Sequence, residues 1–334
     1  MRNQVEKIIN MVNLVTAYCS MLRWGMMKIA GVRPYTVEIE PGTVMRFWVP
    51  SETPLKPKPV VVLLHGFCGD GIMTWQFQVG ALTKNYAVYV PDFLFFGSSG
   101  TDRPERSVAF QAECLAAGLR KLGVEKCIVV GFSYGGMVAF NMAEMYPELV
   151  QAVVVSGSCV AIMESIITTV VEEAGFSSCS DMLLPTSVEG LRALLSIGAH
   201  KNLAWFPNRF YRDFLEVMYS NREERGELLD ELVTSYKEIN IPKFQQQIHL
   251  LWGANDKLFK VELAKKMKEK LGSKATFQVI KEAGHLVHLE RPFVYNRCLK
   301  QFLSSVMPLP EALKDNPTHM LHSIDYLRHY EGIY

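Results

Sequence analysis

The sequence predicts an α/β fold built on a mostly parallel sheet. Unbroken apolar runs in the middle of the chain are typical of strands buried on both faces, because half-solvated strands alternate instead. Segments of helical periodicity separate these runs, and strands that alternate with helices form parallel sheets. The composition agrees, since 49% hydrophobic and 21% charged residues are typical of a well-packed globular protein.

Eight segments are predicted as strands. They are residues 35–39, 44–49, 60–64, 87–90, 127–130, 152–156, 248–252 and 276–280. Helices are predicted at about 107–122, 134–146, 260–271 and 291–306. In an open α/β sheet the loops after the strands gather at one edge, where functional sites form.

One long interval interrupts the alternation of strands and helices. Roughly ninety residues follow the strand that ends near Gly157, with helical periodicity and many large apolar side chains, and a structureless loop of that length is unusual. We therefore expect a helical cap over residues 159–241, inserted into an α/β core that covers 32–158 and 242–306.

Residues 5–26 carry an amphipathic helical pattern near the start of the chain. The segment lacks the compact apolar run of a signal peptide and is too polar to span a bilayer. We expect a helical arm over residues 1–31, which either packs on its own protein or makes a peripheral membrane or dimer contact. The role of the tail, residues 307–334, is not predicted.

Charge and cysteine content limit the function classes. A formal net charge of +1 without a basic stripe argues against a nucleic-acid surface. The cysteines are scattered and form no C-x-x-C pair: Cys19, Cys68, Cys114, Cys127, Cys159, Cys179 and Cys298. This spacing favours buried reduced thiols over disulfides or a zinc site, and hence an intracellular protein. No metal or organic cofactor has a motif in the sequence.

The stretch G-F-S-Y-G-G, residues 131–136, places a serine between a predicted strand and a predicted helix. Ser133 has two interpretations. It is an ordinary N-cap, whose hydroxyl accepts a bond from a helix amide, or it is a nucleophile exposed on a strained turn beside helix N-terminal amides. Because the G-x-S-x-G motif fixes only three positions, the rest of the sequence must decide between these two interpretations of Ser133.

The context supplies the partners that a serine nucleophile needs. Asp256 follows the strand 248–252 in G-A-N-D, and His285 follows the strand 276–280 in E-A-G-H. The glycine-flanked turn H-G-F-C-G follows the strand 60–64, so the amides of Phe67 and Tyr134 are the expected oxyanion donors. The chain order Ser, Asp, His is that of the predicted architecture.

Three alternatives concern the same loops. Asp256 is also a common turn residue. His288 is an alternative base, but it falls at the predicted start of a helix and lacks the preceding glycine. His65 is expected to be structural, and Cys68 is either a reactive thiol or a passive pocket residue.

On these motifs the chain resembles the α/β-hydrolase fold family over roughly residues 35–305. It is most similar to the serine-dependent capped branch, which includes monoacylglycerol-lipase-like enzymes, plant esterases and carbon–carbon bond hydrolases. The resemblance implies Ser133, Asp256 and His285 as catalytic triad, without a cofactor. Phe95 departs from the pattern, because it stands where the family has a glycine. Epoxide hydrolases and haloalkane dehalogenases of this fold use a carboxylate nucleophile, so those activities are not expected.

The expected function is hydrolysis of a lipophilic carboxylic ester, such as a monoacylglycerol, through an acyl-enzyme. A carbon–carbon bond hydrolase, an acyltransferase or a cyclase or lyase would use the same triad, and a ligand receptor or scaffold on the same fold is the alternative of another class. The substrate pocket is expected to include Cys68, Phe95, Trp205, Phe206 and Phe210.

Overall fold

A nine-stranded sheet forms the centre of the computed structural model, which describes residues 13–52, 57–160, 164–201, 206–234 and 241–307. The strands are β1 (Val32–Glu40), β2 (Thr43–Pro50), β3 (Val60–Leu64), β4 (Ala87–Pro91), β5 (Gly100–Thr101), β6 (Cys127–Phe132), β7 (Val150–Ser156), β8 (Gln247–Gly253) and β9 (Ala275–Ile280). The spatial order is β1-β2-β4-β3-β6-β7-β8-β9, with β5 paired to β2.

The sheet is parallel from β4 to β9 and antiparallel at the edge formed by β1 and β2. The predicted, mostly parallel sheet is therefore confirmed. The chain moves from β3 outward to β4 and then returns to add β6 on the other side of β3. Such a reversal opens a crevice at the carboxyl ends of the strands, which is the usual ligand position in open α/β sheets.

Helices occur before, between and after these strands. They are α1 (Leu14–Ser20), α2 (Gly71–Leu82), α3 (Val108–Lys121), α4 (Tyr134–Met145), α5 (Glu164–Glu173), α6 (Cys179–Leu183), α7 (Val188–Gly198), α8 (Asn208–Met218), α9 (Arg222–Thr234), α10 (Val261–Leu271), α11 (Val287–Glu290) and α12 (Pro292–Val306). Helices α3, α4 and α10 pack on one face of the sheet, and α2 and α12 pack on the other. Both faces are covered, which explains the unbroken apolar strands.

The described part of the interval between β7 and β8 consists of helices, from α5 to α9. Apolar side chains of these helices join those of the sheet in one core cluster, which includes Leu191, Tyr211 and Leu228. The division of the chain into core and cap over 159–241 stays a prediction.

The first described segment continues α1 through a π-helical turn, Met21–Met26, and a final turn, Met27–Ile29. It contacts α8 on one side and α2 on the other. The first twelve residues and residues 308–334 lie outside the described residues, so the structure describes the predicted arm only in part and the predicted tail only at residue 307. In the described ranges, no helix combines the length and hydropathy needed to cross a membrane.

Candidate active site

Ser133 lies on a sharp turn between β6 and α4, with φ at +53° and ψ at −121°. A Cβ at Gly135 would lie 2.5 Å from the carbonyl oxygen of Leu64, so glycine is needed for the turn to pack against β3. The Ser133 side chain makes no capping bond to α4, whereas Ser107 caps α3. The N-cap interpretation is therefore wrong. The hydroxyl group faces a cavity instead.

His285 and Asp256 meet at the ends of β9 and β8. His285 Nδ1 lies 3.0 Å from Asp256 Oδ2, and both side chains are buried. The other carboxylate oxygen of Asp256 accepts bonds from the amides of Leu258 (2.9 Å) and Phe259 (2.8 Å). Since a carboxylate only accepts, Nδ1 carries the proton in the neutral tautomer that this contact favours, and Nε2 is then the acceptor.

The imidazole of His285 is held between aromatic rings and a glycine. The rings of Phe132 and Phe259 lie with their centroids 4.8 and 5.6 Å from it. Gly157 has φ at +55°, and a Cβ there would lie only 2.6 Å from His285 Nδ1. Sequence reasoning placed Gly157 at the end of a strand without recognising this contact, because only the fold brings the two loops together.

Glu290 joins the histidine loop to the end of α7, and sequence reasoning missed this role too. One of its carboxylate oxygens accepts from the amide of Gly284 at 2.7 Å. The other accepts from the amides of His200 (2.7 Å) and Lys201 (3.0 Å). Charged acceptors make the stronger hydrogen bonds, so this carboxylate fixes the residue before His285 to the helical region.

The two predicted oxyanion donors lie beside the serine. Phe67 and Tyr134 both line the cavity, with ring centroids 5.8 Å apart. Within the described residues no acceptor bonds the Phe67 amide. A Cβ at Gly66 would lie 3.4 Å from Ser133 Cβ, so this turn passes directly against the serine. The arrangement can present backbone amides to a carbonyl group at Ser133.

His65 shapes that turn as a structural residue. Its Nε2 accepts from the amide of Phe93 at 3.0 Å, so Nδ1 carries the proton and donates to the Gly66 carbonyl at 2.7 Å. Burial lowers the pKa of His65 to about 4. The ring therefore stays neutral near pH 7 and links the backbone at Phe93 to the turn at Gly66.

His288, the alternative base, is fully buried between Trp75 and Phe132. Burial, followed by the neighbouring His285, lowers its pKa to about 3. The carboxylate of Asp256 bonds His285 and not His288. The geometry thus favours His285 as the base.

A cavity of about 750 Å³ opens above Ser133 and His285. Most of its lining is apolar, and a large part of it comes from the segment between β7 and β8, for example Leu183, Leu194 and Leu232. Phe206 and Phe210 also line it and stack on each other at 4.6 Å. Trp205 lies outside the described residues.

Cys68 also lines the cavity, and its thiol points to the carbonyl oxygen of Leu183 at 3.8 Å. Burial raises the pKa of Cys68 to about 11. The residue is therefore a protonated thiol near pH 7, which is the passive alternative and not the reactive one.

Phe95 does not line the cavity, which corrects the prediction. It adopts φ of +72°, the conformation that a glycine would take there without strain. Its carbonyl oxygen accepts from Arg225 Nε at 3.0 Å and Asn221 Nδ2 at 3.1 Å, and Arg106 lies 4.5 Å over its ring. These contacts with α9 and its preceding turn offset the cost of the left-handed backbone.

Comparisons with known proteins agree with this architecture. A family model described as "alpha/beta hydrolase fold" matches residues 59–292. A human protein named "Epoxide hydrolase 4" is 24% identical over 74% of this chain and 72% of its own. A Pseudomonas protein named "2-hydroxy-6-oxononadienedioate/2-hydroxy-6-oxononatrienedioate hydrolase" is 24% identical over 73% of this chain and 88% of its own.

Solved structures show the same fold. A putative lipase from Acinetobacter baumannii AYE superposes with a TM-score of 0.74 at 21% identity, covering 86% of this chain and 96% of that one. A "membrane phospholipase A, a novel bacterial virulence factor" superposes with a TM-score of 0.72 at 20% identity, covering 92% and 100%. At these identities the likeness concerns the fold alone.

Proposed function

Because the chain belongs to the α/β-hydrolase fold family, we propose that it is a serine hydrolase of lipophilic carboxylic esters, such as a monoacylglycerol. One observation carries the proposal. Ser133, on its strained turn, and His285, bonded to Asp256, line the same apolar cavity of about 750 Å³. A cavity of this volume accommodates a drug-sized or acyl-chain ligand.

In the proposed acylation step, Ser133 Oγ attacks the carbonyl carbon of the ester while its proton passes to His285 Nε2. The carbonyl oxygen becomes an oxyanion, which the amides of Phe67 and Tyr134 stabilise. Asp256 holds the required tautomer and stabilises the imidazolium cation. When the tetrahedral intermediate collapses, the alcohol leaves with the proton from Nε2 and the acyl group stays on Ser133.

In the proposed deacylation step, a water molecule donates its proton to His285 Nε2 and attacks the acyl carbon. The amides of Phe67 and Tyr134 stabilise this second oxyanion as well. Its collapse breaks the bond to Ser133 Oγ, which regains the proton from Nε2, and the carboxylic acid is released. The same groups thus serve both halves of the reaction.

The charge of the cavity supports a neutral, lipophilic substrate. Among the described lining residues, the only side chains of Asp, Glu, Lys or Arg belong to Lys201 and Glu290. The carboxylate of Glu290 is already occupied by three backbone amides. A dicarboxylate, such as the name of the Pseudomonas relative implies for that protein, would need more cationic partners than Lys201.

The serine argues against epoxide hydrolysis, despite the likeness to proteins with that name. Opening an epoxide by Ser133 would leave an alkyl ether on the enzyme. An ether has no carbonyl carbon for water to attack, so the enzyme would not be regenerated. A carboxylate at the turn would form a hydrolysable ester instead.

The test is hydrolysis of p-nitrophenyl esters of increasing acyl length, together with labelling by a fluorophosphonate. We expect turnover that rises toward medium or long chains, and labelling that Ser133→Ala abolishes. Ser305→Ala is the matched control, because Ser305 is exposed on α12 and remote from the cavity. Labelling without ester turnover would redirect the proposal to carbon–carbon cleavage, acyl transfer or cyclisation. If neither ester turnover nor labelling is observed, the alternative of a ligand receptor on this fold would be favoured.

A further inference from the structure

The first described segment, residues 14–29, is here called the strap. Its inner face is buried against the protein through Val15, Cys19, Leu22 and Met27. Arg23 bonds Asp70 at the start of α2 at 2.8 Å, and the amide of Leu14 donates to Asp213 of α8 at 2.7 Å. The strap is thus fixed to both the sheet layer and the helices that form the cavity roof.

The outer face of the strap is apolar as well, although it faces solvent. Met21 is 52% exposed, Trp24 is 74% exposed and Ile29 is 88% exposed, and Leu14 lies on the same face. Phe77 of α2, the helix that contacts the strap, is exposed as well. A surface helix ordinarily turns charged or polar residues outward, so a second apolar face requires an apolar neighbour.

This outer face adjoins the entrance of the cavity. Tyr18 of the strap lines the cavity and is also partly exposed, so it lies at the rim. Its hydroxyl donates to Gln76 of α2, which lines the cavity too. Tyr18 therefore connects the exposed surface of the strap with the lining of the cavity.

The end of the strap that carries Trp24 and Ile29 is positively charged. Residues 13–33 contain Arg23, Lys28 and Arg33 and no acidic residue. Three carboxylates reach the strap from other elements: Asp70 pairs with Arg23, whereas Asp213 and Glu216 accept from uncharged groups at its start, the Leu14 amide and Asn13. Exposed Lys28 and Arg33 are thus available to an anionic surface.

We propose that the strap docks this protein on an anionic phospholipid bilayer, with Leu14, Met21, Trp24 and Ile29 among the acyl chains. A helix of this length is about 24 Å long and about 10 Å wide, so its outer face covers roughly 240 Å². A stable dimer buries about 800 Å² per partner. The face is therefore too small for a dimer and well suited to shallow insertion at a membrane surface. That docking delivers substrate to the cavity rests on the proposed lipophilic-ester hydrolysis.

The experiment measures sedimentation with vesicles of phosphatidylcholine alone or mixed with phosphatidylserine. We expect binding to the mixed vesicles that weakens at high salt, and a loss of at least ~10-fold in partitioning for the double variant Trp24→Ser/Ile29→Ser, since both side chains lose apolar contact. Met145→Ser is the control, because Met145 is an exposed apolar residue at the far end of α4. Equal sedimentation of wild type and the double variant would overturn the proposal.

Two further readouts separate docking from catalysis and from folding. Turnover of a soluble short-chain p-nitrophenyl ester by Trp24→Ser/Ile29→Ser should equal that of wild type, which shows an intact fold. Ser133→Ala should bind vesicles as wild type does. Vesicle binding is therefore a test of docking even if the proposed ester hydrolysis is not observed. A concentration-dependent dimer in light scattering, without vesicle binding, would assign the face to a second copy and contradict the proposal.

Discussion

The contact between Gly157 and the imidazole gives the sharpest prediction, the effect of Gly157→Ala. A Cβ there would lie 2.6 Å from His285 Nδ1 and 3.2 Å from Asp256 Oδ2, whereas ordinary contacts begin at 3.4 Å. The histidine must therefore move by about 1 Å, and a displacement of that size can lower the rate about 100-fold. This loss corresponds to about 2.7 kcal/mol of transition-state stabilisation.

The backbone of Gly157→Ala contributes separately to stability. Alanine at a φ of +55° costs about 1 kcal/mol, whatever it contacts. Gly123→Ala is the matched control, because Gly123 has φ at +77° and a Cβ there meets nothing within 4 Å. Both variants should lose about 1 kcal/mol of unfolding free energy in urea through the backbone, and Gly157→Ala should lose a further ~1–3 kcal/mol from overpacking. Only Gly157→Ala should lose kcat/KM on a p-nitrophenyl ester. Equal kcat/KM in the two variants would show that the Gly157 contact does not position His285.

Three further predictions use the same assays. Asp256→Asn should lower kcat by about 10³- to 10⁴-fold, because the amide favours the wrong tautomer of His285, and activity near wild type would show that Asp256 is a turn residue only. Glu290→Gln should lower the unfolding free energy by about 2 kcal/mol and kcat by about 10-fold, because it removes the charged acceptor of three backbone amides. Glu282→Gln is the control: Glu282 is exposed, so this variant should change the unfolding free energy and kcat little. Burial lowers the pKa of His249 to about 4, so the unfolded chain takes up this proton first and the free energy of unfolding decreases as the pH is lowered from about 6.5 to about 4. His249→Gln should reduce this pH dependence by about 1.4 kcal/mol per pH unit in urea titrations. An unchanged pH dependence would contradict the lowered pKa of His249.

The strands were predictable because buried parallel strands have continuous apolar runs, and all eight predicted strands are present. Helix α2 was not predicted. Most of its residues are buried and the exposed Phe77 is itself apolar, so it lacks an amphipathic pattern, and its backbone is kinked at Trp75. The two-residue strand β5 is too short to produce a periodic signal.

Within the site, residues in loops after strands could be proposed from motifs, but their neighbours could not. Asp256 and His285 lie 29 positions apart, and the parallel pairing of β8 and β9 brings them into contact. Gly157 matters because it lies against the His285 ring, and Glu290 matters because it accepts from three backbone amides. A single sequence does not reveal such contacts between distant segments. Phe95 was assigned to the pocket by chain position, whereas in the fold it packs against Arg106 and lies outside the cavity lining.

The central claim is that Ser133 carries the acyl group during turnover. It is tested most directly by rapid acid quenching of the protein with a long-chain p-nitrophenyl ester, followed by mass spectrometry of the peptide that contains Ser133. We expect the added mass of the acyl group on Ser133 and no added mass in Ser133→Ala. Turnover with an unmodified Ser133 peptide, or with the acyl group on Cys68, would contradict it.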